Sequence, residues 1–241
     1  MAIKEIPYKD TTISLSYDLI NPTATSSILI LHGWGSNKEI MKQAFAKKMP
    51  SLKHIYLDMA GFGKSSNSLI LTTQDYASIT KLFLESLSLS PKIALGHSFG
   101  GKVATLLNTP YLVLLSSSGV LVPKPFKIRA KISLFKFFKT FGVNQMLRKL
   151  FVSDDAKDMP QNMYETFKNV VDEDFEASFS ASKSTALLFW GKQDTATPLW
   201  TAEKIDKLIE KSTLYPLDGD HYFFLKHADF IANEIETKTR G

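Results

Sequence analysis

The sequence predicts an α/β fold: a mostly parallel, doubly wound sheet with helices on both faces and one helical insertion. Three observations predict it. Short apolar runs ending abruptly at glycine, aspartate or serine recur along the chain, as in strands buried on both faces. Between them lie stretches long enough for crossover helices, and such alternation belongs to parallel α/β sheets. One stretch, residues 120–182, has no strand-like run and breaks the alternation.

Taken in order, residues 12–19 (TISLSYDL) alternate as an edge strand does. Residues 28–31 (ILIL) stop at His32-Gly33, 54–57 (HIYL) at Asp58, 92–95 (KIAL) at Gly96 and 111–115 (YLVLL) at a serine cluster. Residues 186–190 (ALLFW) stop at Gly191, and 213–217 (TLYPL) stop before Asp218. Helices are expected over 38–48, 74–88, 100–108, 199–210 and 224–238. Ligands of such sheets bind beyond the carboxyl ends of the strands, so the chemistry is expected just after the runs above.

The chain has 241 residues, enough to bury one core domain that carries an insertion. With 44% hydrophobic and 22% charged residues it matches soluble globular proteins, which excludes wholesale disorder. No apolar run reaches the ~18 residues of a membrane span. The start, MAIKEIPYKDTT, has no apolar signal-peptide core, so a cytoplasmic location is expected. The absence of cysteine removes disulfides, thiolate metal sites and a cysteine nucleophile.

The net charge of +5 is local in origin. Residues 120–151 hold eight of the 29 Lys and Arg and no Asp or Glu, which leaves the rest of the chain at −3. No nucleic-acid motif accompanies this basic stretch, and no nucleic-acid partner is expected. Its first half is rich in phenylalanine (Phe126, Phe135, Phe137, Phe138, Phe141, Phe151), and its second half turns acidic from Asp154 to Glu176. Residues 120–182 are read as a helical lid, inserted between core segments 1–119 and 183–241.

Residues 96–101 read GHSFGG between a strand and a helix, the G-x-S-x-G pattern. A serine at its centre sits on a tight turn with its hydroxyl lifted above the sheet, and glycines at 96 and 100 let that turn pack closely. Ser98 is therefore the candidate nucleophile. Residues 32–35 read HGWG after a neighbouring strand. Backbone N–H groups of Trp34 and Phe99 are the candidate oxyanion hole.

A serine hydroxyl needs a base, and the base needs a carboxylate to fix its tautomer. Of the five histidines, His221 follows the last strand in LDGDHYFF and is the candidate. His32 is expected to brace its loop, His54 to be structural, His97 to point from the wrong side of the turn and His227 to lie inside the last helix. Asp194, in GKQDTATP after the 186–190 strand, is the expected acid. Asp218 and Asp220 are the alternatives, with turn-forming roles as their competing explanation. Asp58 is expected to shape its own turn.

With HGWG at 32–35, DMAGFGKS at 58–65, GHSFGG at 96–101, GKQDTATP at 191–198 and GDH at 219–221, the chain resembles the α/β-hydrolase superfamily. The resemblance implies Ser98 as nucleophile, Asp194 as acid, His221 as base, no metal or organic cofactor, and a helical cap between strands six and seven. The HGWG loop is similar to that of small bacterial carboxylesterases, including pimeloyl-carrier-protein methyl ester esterases. Length and cap are also similar to the meta-cleavage-product hydrolases, which split a C–C bond in 2-hydroxy-6-oxo-dienoates. Those usually carry Asn before the nucleophile and Trp after the catalytic His, where this chain has His97 and Tyr222.

The expected activity is ester hydrolysis through an acyl-enzyme on Ser98. C–C hydrolysis is the alternative within the class, and a non-catalytic binding protein of the same fold the alternative outside it. Trp34, Phe126, Arg129, Phe138 and Tyr222 are the candidate substrate contacts. The lid phenylalanines either line an apolar acyl pocket or pack the lid onto the core. Its basic residues either meet an anionic substrate or acyl carrier, or form a solvated face. Beyond a small-molecule ester or acyl substrate no partner is implied, and both monomer and homodimer fit.

Overall fold

In the computed structural model, residues 1–123 and 159–239 are described. Eight strands form one sheet: β1 (Ala2–Tyr8), β2 (Thr11–Ile20), β3 (Ser26–Leu31), β4 (Leu52–Leu57), β5 (Ile93–His97), β6 (Tyr111–Leu115), β7 (Thr185–Gly191) and β8 (Ser212–Leu217). Their order is β1-β2-β4-β3-β5-β6-β7-β8. β1 and β2 pair antiparallel, β2 runs antiparallel to β4, and every later neighbour is parallel.

The helices are α1 (Lys38–Phe45), α2 (Thr73–Ser86), α3 (Phe99–Leu106), α4 (Gln161–Val170), α5 (Glu176–Ala181), α6 (Leu199–Leu208) and α7 (Ala228–Thr239). Successive strand residues point to opposite faces, so an unbroken apolar run feeds two cores at once. In β3, Ile28 and Ile30 enter one core and Leu29 and Leu31 the other. β6 repeats this with Val113 and Leu115 against Leu112 and Leu114. Met41 and Phe45 of α1 and Ile231 and Ile235 of α7 close the first face. Tyr76, Ala77 and Phe83 of α2, Val103 and Ala104 of α3 and Ala202 and Ile205 of α6 close the second. This is the doubly wound sheet expected from the sequence.

Side chains cap the first two helices. Asn37 caps α1 by accepting from the Glu39 N–H. Thr72 and Asp75 form a reciprocal capping box at α2. The last helix differs from expectation: Phe223–Leu225 form a 3₁₀ turn, and α7 starts at Ala228. His227 therefore lies just before that helix, not inside it, and its Nε2 donates to the Asp218 carbonyl (2.7 Å).

The chain leaves the sheet after β6 and returns at β7, and α4 and α5 lie between them. Asn162 donates to the Asn67 carbonyl (3.0 Å), and the Thr166 hydroxyl accepts from the Leu71 N–H (3.0 Å). Buried Lys102 of α3 pairs with Glu173 (2.9 Å) and donates to the Val170 carbonyl. These bonds fasten the later half of the intervening segment to the core. Phe126, Arg129 and Phe138 lie outside the described residues.

Candidate active site

Ser98 joins the end of β5 to the start of α3 with φ 50° and ψ −116°, a backbone state that non-glycine residues rarely adopt and that costs about 1–3 kcal/mol. Its neighbours explain how the turn closes. A Cβ at Gly96 would sit 2.2 Å from the Gly100 carbonyl oxygen, and one at Gly100 would sit 2.5 Å from the His32 carbonyl oxygen. The turn is held by Ser98 N–H donating to Leu115 O (3.1 Å) and by the Gly101 and Ser118 N–H groups donating to Ser98 O (3.0 and 3.2 Å). Ser98 itself is half-buried.

The loop after β3 packs directly on this turn: a Cβ at Gly33 would lie 3.3 Å from Ser98 Cβ and 2.9 Å from His97 Nδ1. Phe99 is the first residue of α3, and the first N–H groups of a helix have no intrahelical acceptor. Trp34 follows Gly33, its ring edge-on to Phe62 (4.8 Å) and Phe99 (5.5 Å) and tilted against Phe167 of α4 (5.3 Å). Among the described residues its buried indole N–H has no partner.

His221 follows β8, and its Nδ1–H donates to Asp194 Oδ2 at 2.7 Å. The Asp194 side chain is fully buried. Its Oδ1 accepts from the Ala196 and Thr197 N–H groups (2.8 and 2.9 Å), and its Oδ2 also takes the Thr197 hydroxyl proton (2.8 Å). Burial alone would raise this carboxyl; the His221 and Thr197 hydrogen bonds outweigh it and hold the group down to about 2. Asp194 is therefore a fixed anion. The alternatives are otherwise engaged: Asp220 accepts from the Tyr222 N–H (2.8 Å), and Asp218 pairs with Lys192 (3.0 Å).

The remaining polar residues brace loops. His32 donates from Nδ1 to Gly33 O (2.7 Å) and accepts at Nε2 from the Met59 N–H (3.1 Å). His54 donates from Nε2 to Met49 O (3.0 Å) and meets the Tyr56 hydroxyl through Nδ1 (3.0 Å). Asp58 accepts from the Lys38 ammonium (2.7 Å), the Lys38 N–H (2.8 Å) and the Lys64 N–H (3.1 Å). Among the described residues no group of His, Asp and Glu could hold a metal ion.

Trp34, Phe99 and Tyr222 thus lie around the Ser98 turn and His221; Tyr222 is 41% exposed, with its ring 5.7 Å from that of His221. Two contributors escaped the sequence reading. Thr197 sits three residues after Asp194, a spacing at which Asp holds following backbone N–H groups, and this could have marked it. Phe167 shares a helix face with Met163 and Val170, and that spacing was its only signal.

A model of the alpha/beta hydrolase family matches residues 28–234. The chain belongs to the alpha/beta hydrolase family. It is 36% identical over 90 residues to a pimeloyl-[acyl-carrier protein] methyl ester esterase of Vibrio campbellii, covering 36% of this chain and 33% of that protein. The chain thus matches only about a third of the length of that relative. It is 26% identical over 239 residues to the uncharacterized hydrolase YugF of Bacillus subtilis, covering 85% of this chain and 86% of that one. An esterase from Exiguobacterium antarcticum superposes with a TM-score of 0.76 at 21% identity, covering 98% of this chain and 99% of its own. That likeness establishes the fold. No helix among the described residues is long and apolar enough to cross a membrane.

Proposed function

We propose that this hydrolase cleaves carboxylic esters by acyl transfer through Ser98. The observation that carries the reading is the strained Ser98 turn, whose preceding residue His97 packs its ring 4.6 Å from that of His221, together with the fixing of the His221 Nδ1–H by a buried, ionised Asp194. With Nδ1 committed to Asp194, Nε2 is the nitrogen left to take the serine proton. Ser98 Oγ attacks the carbonyl carbon as His221 Nε2 accepts the proton. The Phe99 and Trp34 N–H groups stabilise the oxyanion, and each such donor is worth about 3 kcal/mol of barrier. The tetrahedral adduct collapses, and His221 returns the proton to the departing alkoxide. A water activated by the same nitrogen then releases the acid and regenerates Ser98.

Residues 120–182 act as a lid in this reading, with Trp34 and Tyr222 facing the acyl group. Supporting it is the contact of Phe167 in α4 with Trp34, which joins that segment to the loop bearing an oxyanion donor. The ester class is supported by the named esterase relatives. An acyl group on an acidic carrier fits the basic stretch of residues 120–151. The test is hydrolysis of p-nitrophenyl esters from C2 to C12 by wild type and Ser98→Ala. Serine-dependent turnover with a chain-length optimum is expected; equal rates for the two proteins would overturn the proposal.

A further inference from the structure

His97 precedes Ser98 in the chain, is 1% exposed, and takes no part in the chemistry above. Its Nε2 lies 3.0 Å from the His221 carbonyl oxygen. A carbonyl only accepts, so Nε2 carries the hydrogen and Nδ1 is bare. Among the described residues Nδ1 is buried without a partner, in the space that a Cβ on Gly33 would need. The ring packs against those of His221 (4.6 Å), Phe224 (4.9 Å) and Tyr222 (5.4 Å). One side chain therefore separates the oxyanion loop from the base loop and touches both.

The base loop is also anchored to the loop that follows β7. Gln193 N–H donates to Gly219 O (3.0 Å), its side-chain oxygen accepts from the Gly219 N–H (2.5 Å), and Asp194 holds the ring of His221. Those contacts locate His221 relative to Asp194. The His97 bond is a direct link from β5 that locates it relative to Ser98: nucleophile, adjacent residue, carbonyl of the base.

We propose that His97 is a positioning residue whose Nε2–H···O bond to the His221 backbone sets the reach of the His221 ring to Ser98. The inference rests on the proposed roles of Ser98, Asp194 and His221. Burial, with the neighbouring His221 adding to it, pushes the His97 imidazole down to about 3. It thus serves as a permanently neutral donor rather than a proton carrier. Its titratable surroundings are His221, Asp194 and His32.

The experiment compares wild type, His97→Phe, which keeps a ring but loses the donor, and His97→Gln, whose amide nitrogen reaches the Nε2 position. Readouts are the rate of Ser98 labelling by a fluorophosphonate, kcat and KM on p-nitrophenyl butyrate, and the thermal midpoint. His97→Phe is expected to label about 10- to 100-fold more slowly, with kcat reduced and KM unchanged. His97→Gln is expected to recover to within about threefold of wild type. Wild-type labelling by folded His97→Phe overturns the proposal, as does a loss in His97→Gln as large as that in His97→Phe. If His97→Phe does not fold, the ¹⁵N imidazole shifts of wild type decide. A neutral Nε2–H tautomer unchanged from pH 5 to 8 supports the proposal, and an Nδ1–H tautomer or titration near 6.5 overturns it. Failure of the underlying serine mechanism is read separately: Ser98→Ala would then match wild type in labelling and turnover.

Discussion

Lowering the pH from 7.5 to 5.0 should destabilise this protein through two buried histidines. His32 and His97 are both essentially inaccessible. Burial pushes His32 down from its ordinary 6.5 to about 4 and His97 to about 3. The hydrogen bonds show why protonation is opposed. His32 Nε2 accepts the Met59 N–H, so a proton there would set two donors against each other. A proton on His97 Nδ1 would find no acceptor among the described residues. Because both folded-state values lie below the unfolded value, the stability is fully present above pH ~6.5 and is lost as pH falls toward them. At pH 5, about 1.5 units below the unfolded value, each histidine forgoes about 2 kcal/mol, or about 4 kcal/mol together. Asp194, held down to about 2, and Asp75, held lower still, remain ionised throughout and do not mask the loss. Four kcal/mol is a large part of the ~5–15 kcal/mol of a folded domain. With an m-value of about 3 kcal/mol/M it lowers the urea midpoint by about 1.3 M. Urea titrations followed by circular dichroism at pH 7.5, 6.0 and 5.0 measure this directly. An unchanged midpoint would refute the reasoning, as would an unfolding that needs pH below 3.

Two further outcomes concern single side chains. Asp58→Asn strands the Lys38 ammonium, whose side chain is 2% exposed, with Ser16 Oγ as its close partner. It should cost about 3–5 kcal/mol in urea titrations, and Lys38→Met added to it should recover part of that loss. Asp194→Asn frees the His221 tautomer and should lower kcat about 10⁴-fold on any ester that the protein turns over, with the circular dichroism spectrum retained.

How far the sequence could be read follows from what each residue contacts. β3 and β5 to β7 were legible because their unbroken apolar runs serve both faces of the sheet, and a parallel strand buried on both sides has no other way to read. β1 was not read: in Ala2–Tyr8 only Ile6 is buried, so its pairing with β2 leaves almost no pattern. The start of α7 was placed four residues early because Phe223 and Phe224, both buried, extend the helical spacing back through the 3₁₀ turn. Around the candidate site, the residues fixed by backbone constraint were visible, since the glycines flanking Ser98 answer to contacts with Gly100 O and His32 O. Phe167 and the bond of His97 to the His221 carbonyl were not, because each acts through a partner remote in sequence. Asp58 was read correctly as a turn former; its partnership with Lys38, 20 residues away, was not.

The most direct test of the central claim is mass spectrometry of the protein after reaction with a fluorophosphonate. One adduct per chain is expected, on the peptide bearing Ser98, formed in wild type and absent from Ser98→Ala. Labelling on another residue, or labelling of Ser98→Ala at the wild-type rate, would contradict it.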